Sequence, residues 1–114
     1  MTGFSINGSE SSETEWRIAI TGELDIATAD ELRAAGETSL ARPGLSALTI
    51  DLGGLGFIDS TGISALLVIR NSAEERGIEF SLVNVPDVAA RVLAITGLSE
   101  VFGLQPPSDD SATA

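Results

Sequence analysis

The chain has 114 residues, a size that fits one domain with a single buried core. It contains 17 Asp and Glu residues against 6 basic ones, and its formal net charge of -11 at pH 7 predicts that it repels nucleic acid and anionic membranes. It contains no Cys, which excludes disulfides and thiolate zinc sites. The first residues lack a signal-peptide pattern and no apolar stretch has the length of a membrane span, so we expect a cytoplasmic protein without direct membrane insertion.

The residues that are missing also bear on catalysis. The chain has no His, Cys or Tyr, and every basic residue is Arg. This removes the usual general base at neutral pH, the thiol nucleophile, the Schiff-base amine and the phosphate-binding lysine, so we do not expect an enzyme. A metal site built from Glu23, Asp25, Asp51 and Asp59 is conceivable, yet carboxylates at strand ends usually cap helices or face solvent. We therefore expect neither a metal nor another cofactor.

The first half of the chain contains two candidate strands and one helix. Residues 4–7 predict a short first strand, and the polar residues 8–15 have the composition of a mobile hairpin connection. Apolar and polar residues alternate over residues 16–21, which predicts a strand. Residues 28–31 form a capping-box pattern that predicts a helix ending before Pro43 and Gly44.

In the second half, alternation over residues 48–52 and 78–82 predicts two more strands. The glycines of residues 53–56 have no nucleotide-binding spacing and are interpreted as backbone turns. A helix is predicted from Ser60 to Arg76, with a break at Gly77.

A third helix is predicted to open at Pro86 and to stop at Gly97. It places three apolar residues on one side, namely Val88, Val92 and Ile95. Residues 101–102 suggest a last short strand, and the small, acidic residues 105–114 predict a disordered tail after a domain of residues 1–104. Alternating strands of this kind favour an α/β fold with helices packed mainly on one face of the sheet.

The segment Asp-Ser-Thr-Gly, between a strand and a helix, places Ser60 at a helix N-terminus. A hydroxyl there caps the helix, and the positive end of the helix dipole favours an anion beside it. Ser60 is therefore either a cap or a phosphate switch, and Asp59 is either a structural acceptor or a functional acid. Gly62 either lets a partner backbone approach the serine or relieves crowding in the first turn.

The same helix carries apolar residues on two sides. One stripe, which includes Ile63 and Leu66, suits the core. The second stripe consists of Ala65, Val68 and Ile69. It is either a contact surface for a partner or is covered by the third helix or a loop.

Three segments resemble the STAS domain, and most closely the stand-alone bacterial anti-sigma factor antagonists. They are TGELDIATADEL at residues 21–32, IDLGGLGFIDSTGISALL at residues 50–67 and VPDVAARVLAITGLSEVFGL at residues 85–104. The resemblance implies a single α/β domain with a mixed sheet of four to five strands and helices on one side.

The resemblance also implies a role for individual residues. Ser60 matches the serine that a partner phosphorylates, and this partner is both an anti-sigma factor and a serine kinase. The unphosphorylated antagonist captures that partner and frees a sigma factor, and a serine phosphatase restores the antagonist. Asp25 and Asp59 match the motif acids beside the serine, and Thr61 is a secondary acceptor.

The partner-binding residues expected from these arguments are Asp25, Asp59, Ser60, Thr61, Gly62, Ala65, Val68 and Ile69. An alternative function stays open, because STAS domains also serve as scaffolds of stress-sensing assemblies and as accessory subunits of membrane transporters. Such a protein would bind without a phosphorylation cycle. Direct nucleotide binding has less support, since the chain lacks a phosphate-loop lysine.

Overall fold

The computed structural model describes residues 3–104, which form four strands and three helices. The elements are β1 (Ser5–Ser12), β2 (Glu15–Leu24), α1 (Ala29–Leu40), β3 (Ala47–Ile58), α2 (Ser60–Glu75), β4 (Glu79–Val83) and α3 (Asp87–Ile95). The sheet has the order β1-β2-β3-β4, with β1 antiparallel to β2 and the other neighbours parallel. The predicted mixed sheet is confirmed with four strands. The predicted tail, residues 105–114, lies outside the described residues.

The alternation in the strands separates a buried face from a polar one. The buried face of β2 and β3 carries Ile18, Ile20, Leu48, Ile50 and Leu52, which pack in one core with Leu32 of α1, Leu66 of α2 and Leu93 of α3. On the opposite face, Arg17 pairs with Asp51, and the hydroxyls of Thr49 and Ser81 lie 3.4 Å apart. The prediction that helices cover mainly one face is confirmed. No helix within residues 3–104 combines the length and hydrophobicity needed to cross a membrane.

The polar residues 8–15 were wrongly expected to form a mobile connection. Strand β1 continues to Ser12 and β2 starts at Glu15, so only residues 13–14 form the turn. Gly8 pairs with Ile18 and Ser9 with Arg17 across the antiparallel ladder. The backbone hydrogen bonds of this ladder do not depend on side-chain hydrophobicity, which is why the polar composition is misleading here.

The glycines of residues 53–56 lie inside β3. The expectation that they form backbone turns is therefore wrong. Ala19 pairs with Asp51 but Thr21 pairs with Gly54, and a second register shift separates Gly22 from Glu23. Each shift inserts one extra residue into β3, as a β-bulge does. A Cβ atom at Gly54 would clash with Cγ2 of Thr21, so the bulge needs a glycine there.

The C-terminal part of the described chain differs from the prediction in two respects. Ala89 and Leu93 form the buried side of α3, whereas Ile95 is 84% exposed. Residues 101–102 form a turn and not a strand. The ring centroids of Phe102 and Phe80 lie 6.1 Å apart. Phe102 is therefore apolar because it packs against β4, and not because it belongs to a strand.

A hydrogen-bonded network around Asp51 joins three parts of the polar face. The Asp51 carboxylate accepts from the backbone N–H of Gly53 (2.8 Å), from Asn84 Nδ2 (3.1 Å) and from the guanidinium of Arg17 (2.8 Å). The Gly53 N–H is the main cause that lowers the pKa of Asp51 below its ordinary value, and Arg17 and Asn84 act in the same direction. Partial burial opposes them. The network ties the first bulge of β3 to β2 and to the turn after β4.

We predict that Asp51 stabilises the protein at neutral pH and loses this contribution in acid. The pKa of Asp51 is lower in the folded than in the unfolded chain, so its contribution is complete above about pH 4 and disappears as the pH falls through the folded pKa. Asp51→Asn should lower the free energy of unfolding by about 1 kcal/mol at pH 7. Urea unfolding at pH 7 and pH 2.5 measures this difference, which should shrink at the lower pH.

Glu13→Gln is the matched control, because Glu13 is exposed in the β1–β2 turn and has no ion pair within residues 3–104. It should leave the free energy of unfolding unchanged at both pH values. An Asp51→Asn difference that stays constant down to pH 2.5 would contradict the proposed ionisation.

Candidate functional site

The candidate site lies where the parallel strands β2 and β3 end at the same edge of the sheet. Leu24 and Ile58 are their last paired residues, and each is followed by an acid, Asp25 and Asp59. The backbone N–H of Asp59 donates to the carbonyl of Leu24 at 3.2 Å. This bond holds the β2–α1 loop against the start of α2, where Ser60 is the first helical residue.

Asp59, and not Ser60, caps helix α2. Its backbone is extended, with φ -121° and ψ -172°, and its carboxylate accepts the N–H of Gly62 at 3.1 Å. The N–H of Ile63 donates to the carbonyl of Asp59 at 3.0 Å and closes the first turn. The expectation that the Ser60 hydroxyl caps the helix is therefore wrong. Asp is among the strongest N-cap residues, and its position one residue earlier was the available signal.

Ser60 is exposed, and its hydroxyl makes no hydrogen bond with another residue in the described part of the chain. The backbone N–H groups of Ser60 and Thr61 belong to the first turn of α2 and have no acceptor inside the helix. The helix dipole adds partial positive charge at the same place. The side chain of Ser60 is thus accessible, without a structural partner, and beside groups that favour an anion. Thr61 is half-buried and less accessible.

Gly62 packs against the protein's own backbone. It is buried, and a Cβ atom at this position would lie 2.7 Å from the carbonyl oxygen of Leu24 and 2.8 Å from its Cγ. The glycine therefore allows α2 to approach the end of β2 closely. This corrects the expectation that Gly62 contacts a partner, because its open side is already filled by Leu24.

The second apolar stripe of α2 is divided between core and surface. Ala65 is fully buried. Ile69 is 2% exposed, and its side chain packs against Gly36 of α1. Val68 is 46% exposed. The expectation of a partner contact is therefore wrong for Ala65 and Ile69, because both are buried in the core, where Ile69 packs against α1. Val68 lies on the same exposed side of α2 as Ser60 and Ser64.

The β2–α1 loop is braced by hydrogen bonds within itself. The Asp25 carboxylate accepts the N–H of Ala27 at 3.0 Å, and the Asp25 N–H donates to the Thr28 hydroxyl at 3.0 Å. That hydroxyl donates to the carbonyl of Glu23 at 2.8 Å. The Thr28 side chain does not cap α1, so the predicted capping box does not form, although α1 begins where it was expected.

The four carboxylates considered for a metal site are not gathered together. Asp51 binds Arg17, Asp59 binds the first turn of α2, and Asp25 binds its own loop. Within residues 3–104, no group of three or more Asp or Glu residues lies close enough to hold a metal ion. The acids at this edge therefore act on the site through hydrogen bonds and charge.

We predict that Asp59 and Ser60 differ in their contribution to stability. Asp59→Ala removes the cap of α2 and should lower the free energy of unfolding by about 1 kcal/mol. Ser60→Ala removes an exposed, unbonded hydroxyl and should change it by less than about 0.5 kcal/mol. Urea unfolding of both variants at pH 7 measures the difference. An equal loss of unfolding free energy in the two variants would show that Ser60 contributes to the cap as much as Asp59 does.

Gly62→Ala should destabilise the protein because the new methyl group meets Leu24. We expect a loss of about 1–3 kcal/mol, which is typical of overpacking. Ser64→Ala, two residues further along α2 and exposed, is the control and should be nearly neutral. Thermal and urea unfolding compare the two variants. A Gly62→Ala variant as stable as the wild type would show that a methyl group fits between α2 and Leu24.

Comparison with known proteins places this site in a family. The family model described as the STAS domain matches residues 12–114. The anti-sigma-B factor antagonist of Listeria monocytogenes serovar 1/2a is 32% identical over 88 residues, which are 77% of this chain and 76% of that protein.

Solved structures show the same fold. An anti-sigma factor antagonist from Mycobacterium paratuberculosis aligns with a TM-score of 0.73 and 26% identity over 97% of this chain and 91% of that one. SpoIIAA in its unphosphorylated form aligns with a TM-score of 0.75 and 19% identity over 95% and 92% of the two chains. The phosphorylated form of the Bacillus protein aligns with a TM-score of 0.69 and 19% identity over 95% and 96%. The family model covers most of the chain and agrees with the mixed four-stranded sheet, so the chain belongs to the STAS domain family.

Proposed function

We propose that the protein is an anti-sigma factor antagonist that phosphorylation of Ser60 switches off. The unphosphorylated form binds an anti-sigma factor with serine kinase activity and thereby releases a sigma factor. That partner phosphorylates Ser60 and the complex dissociates. A serine phosphatase restores the binding form, and the cycle takes place in the cytoplasm.

The observation that carries this proposal is the division of roles between Asp59 and Ser60. Asp59 supplies the cap of α2, so the exposed Ser60 hydroxyl has no structural function within the described residues. A group that is accessible and unbonded can be modified without loss of packing. The proposal is also supported by the Listeria and Mycobacterium relatives, which are named as antagonists, and by SpoIIAA, which has a phosphorylated form.

Electrostatics explains how a phosphate at this position would control binding. Phosphorylation adds about -1.5 to -2 charges at pH 7, and the N-terminus of α2 favours an anion, so the fold should persist. Asp59 is adjacent and Asp25 lies at the same edge. Binding a partner removes water from part of this charge, and a buried polar group left unsatisfied costs about 1–3 kcal/mol, more when it is charged. A cost at the upper end of this range lowers affinity more than about a hundredfold.

The decisive experiment combines phosphorylation with binding. The wild type, Ser60→Ala and Thr61→Ala are incubated with the purified serine-kinase anti-sigma factor of the host and Mg-ATP, and their intact masses are measured. We expect one added phosphate in the wild type and in Thr61→Ala, and none in Ser60→Ala. A phosphate that persists in Ser60→Ala would contradict the site.

Binding is then measured by calorimetry with the same kinase and the unphosphorylated, Ser60-phosphorylated and Ser60→Ala proteins. The unphosphorylated protein and Ser60→Ala should bind with equal affinity, and the phosphorylated protein at least about ten times more weakly. Equal affinity of all three forms would contradict the switch. Affinity capture in which wild type, Ser60→Ala and Ser60→Asp all retain the same transporter subunit or sensor assembly would favour the scaffold function.

A further inference from the structure

Large apolar side chains are exposed around the candidate site. Within residues 3–104, four such side chains are exposed: Ile26 at 79%, Phe57 at 44%, Val68 at 46% and Ile95 at 84%. Three of them lie on the elements that meet at Ser60. Ile26 is in the β2–α1 loop, Phe57 is two residues before the cap of α2, and Val68 is two turns after Ser60. Only Ile95, on α3, is elsewhere.

Ile26 is held in place by the loop that carries it. The hydrogen bonds from Ala27 to the Asp25 carboxylate and from the Thr28 hydroxyl to Glu23 bracket it on both sides. The bond between Asp59 and Leu24 fixes the loop against the start of α2. A loop whose backbone is already ordered loses little conformational entropy when a partner binds it. This loop therefore presents an isoleucine, mostly exposed, at the same edge as Ser60.

The acids around Ile26 lack compensating charge within the described residues. Asp25 and Asp59, the acids that follow β2 and β3 at this edge, form no ion pair there, whereas five of the six arginines are paired with acids elsewhere. The sixth, Arg91, is on α3. An exposed apolar side chain beside acids that have no ion pair is complementary to an apolar pocket with a basic rim.

We infer that Ile26 is the apolar anchor by which the protein binds its anti-sigma factor, in a partner pocket that is apolar inside and lined by basic side chains at its rim. This inference rests on the proposed function and adds the chemistry of the partner surface. Val68, which lies on the same exposed side of α2 as Ser60, extends the contact, and Ser60 lies within it. Phosphorylation then places about -1.5 to -2 charges beside the apolar interior of that pocket, where binding strips water from the phosphate, and this cost outweighs the attraction to the basic rim.

The test compares substitutions of two similarly exposed isoleucines, Ile26→Asn and Ile95→Asn. Their unfolding midpoints should remain close to that of the wild type, because both side chains are mostly in solvent. Calorimetry with the purified serine-kinase anti-sigma factor should show affinity about 10- to 100-fold lower for Ile26→Asn, as for a hot-spot residue, and within twofold of the wild type for Ile95→Asn. Ile26→Leu should retain affinity.

Phosphorylation kinetics provide a second readout. For Ile26→Asn as the kinase substrate, KM should rise while kcat stays near the wild-type value, because Ser60 itself is unchanged. If Ile26→Asn binds like the wild type, and the wild type is phosphorylated on Ser60, the anchor is wrong and the proposed function stands. If the wild type neither binds the kinase nor becomes phosphorylated, the proposed function fails and the anchor fails with it.

Discussion

The site depends on the contact between the end of β2 and the start of α2. One backbone hydrogen bond, from Asp59 to the carbonyl of Leu24, closes this contact, and it forms only because β2 and β3 end in register. Gly62 brings α2 close enough for the helix to pack on Leu24. The two bulges in β3 set how far that strand extends, and so where the contact falls. The geometry of the proposed switch is thus determined by backbone pairing in the sheet.

This contact separates structural and functional roles within four consecutive residues. Asp59 and Gly62 are committed to the helix cap and to close packing, and both face the protein. Ser60 faces solvent, and Thr61 is half-buried between them. Because helix stability does not depend on Ser60, a modification there changes charge without weakening the fold. Such a separation suits a protein whose two states differ in binding and not in structure.

The charge distribution gives the surface its preference for a partner. The arginines neutralise acids at other places, including Asp51 on the polar face and Glu74 on α2, and leave the edge around Ser60 acidic within the described residues. In the proposed complex, Ile26 and Val68 supply binding energy, while the acids at the same edge supply orientation and selectivity for a basic surface. Net charge alone predicts that the protein repels nucleic acid and anionic membranes, whereas the arrangement of ion pairs supports the proposed place of partner binding.

The α/β class, the three helices, the alternating strands and the place of the Asp-Ser-Thr-Gly segment before a helix follow from the sequence, because they depend on local periodicity and on one short motif. Tertiary structure decided which residue caps α2, whether the glycines of β3 turn or bulge, and which side of α2 is covered by α1. It also revealed Ile26, which the sequence shows only as one apolar residue in a polar loop. These features depend on strand register and on contacts between distant segments, and no local pattern encodes such contacts.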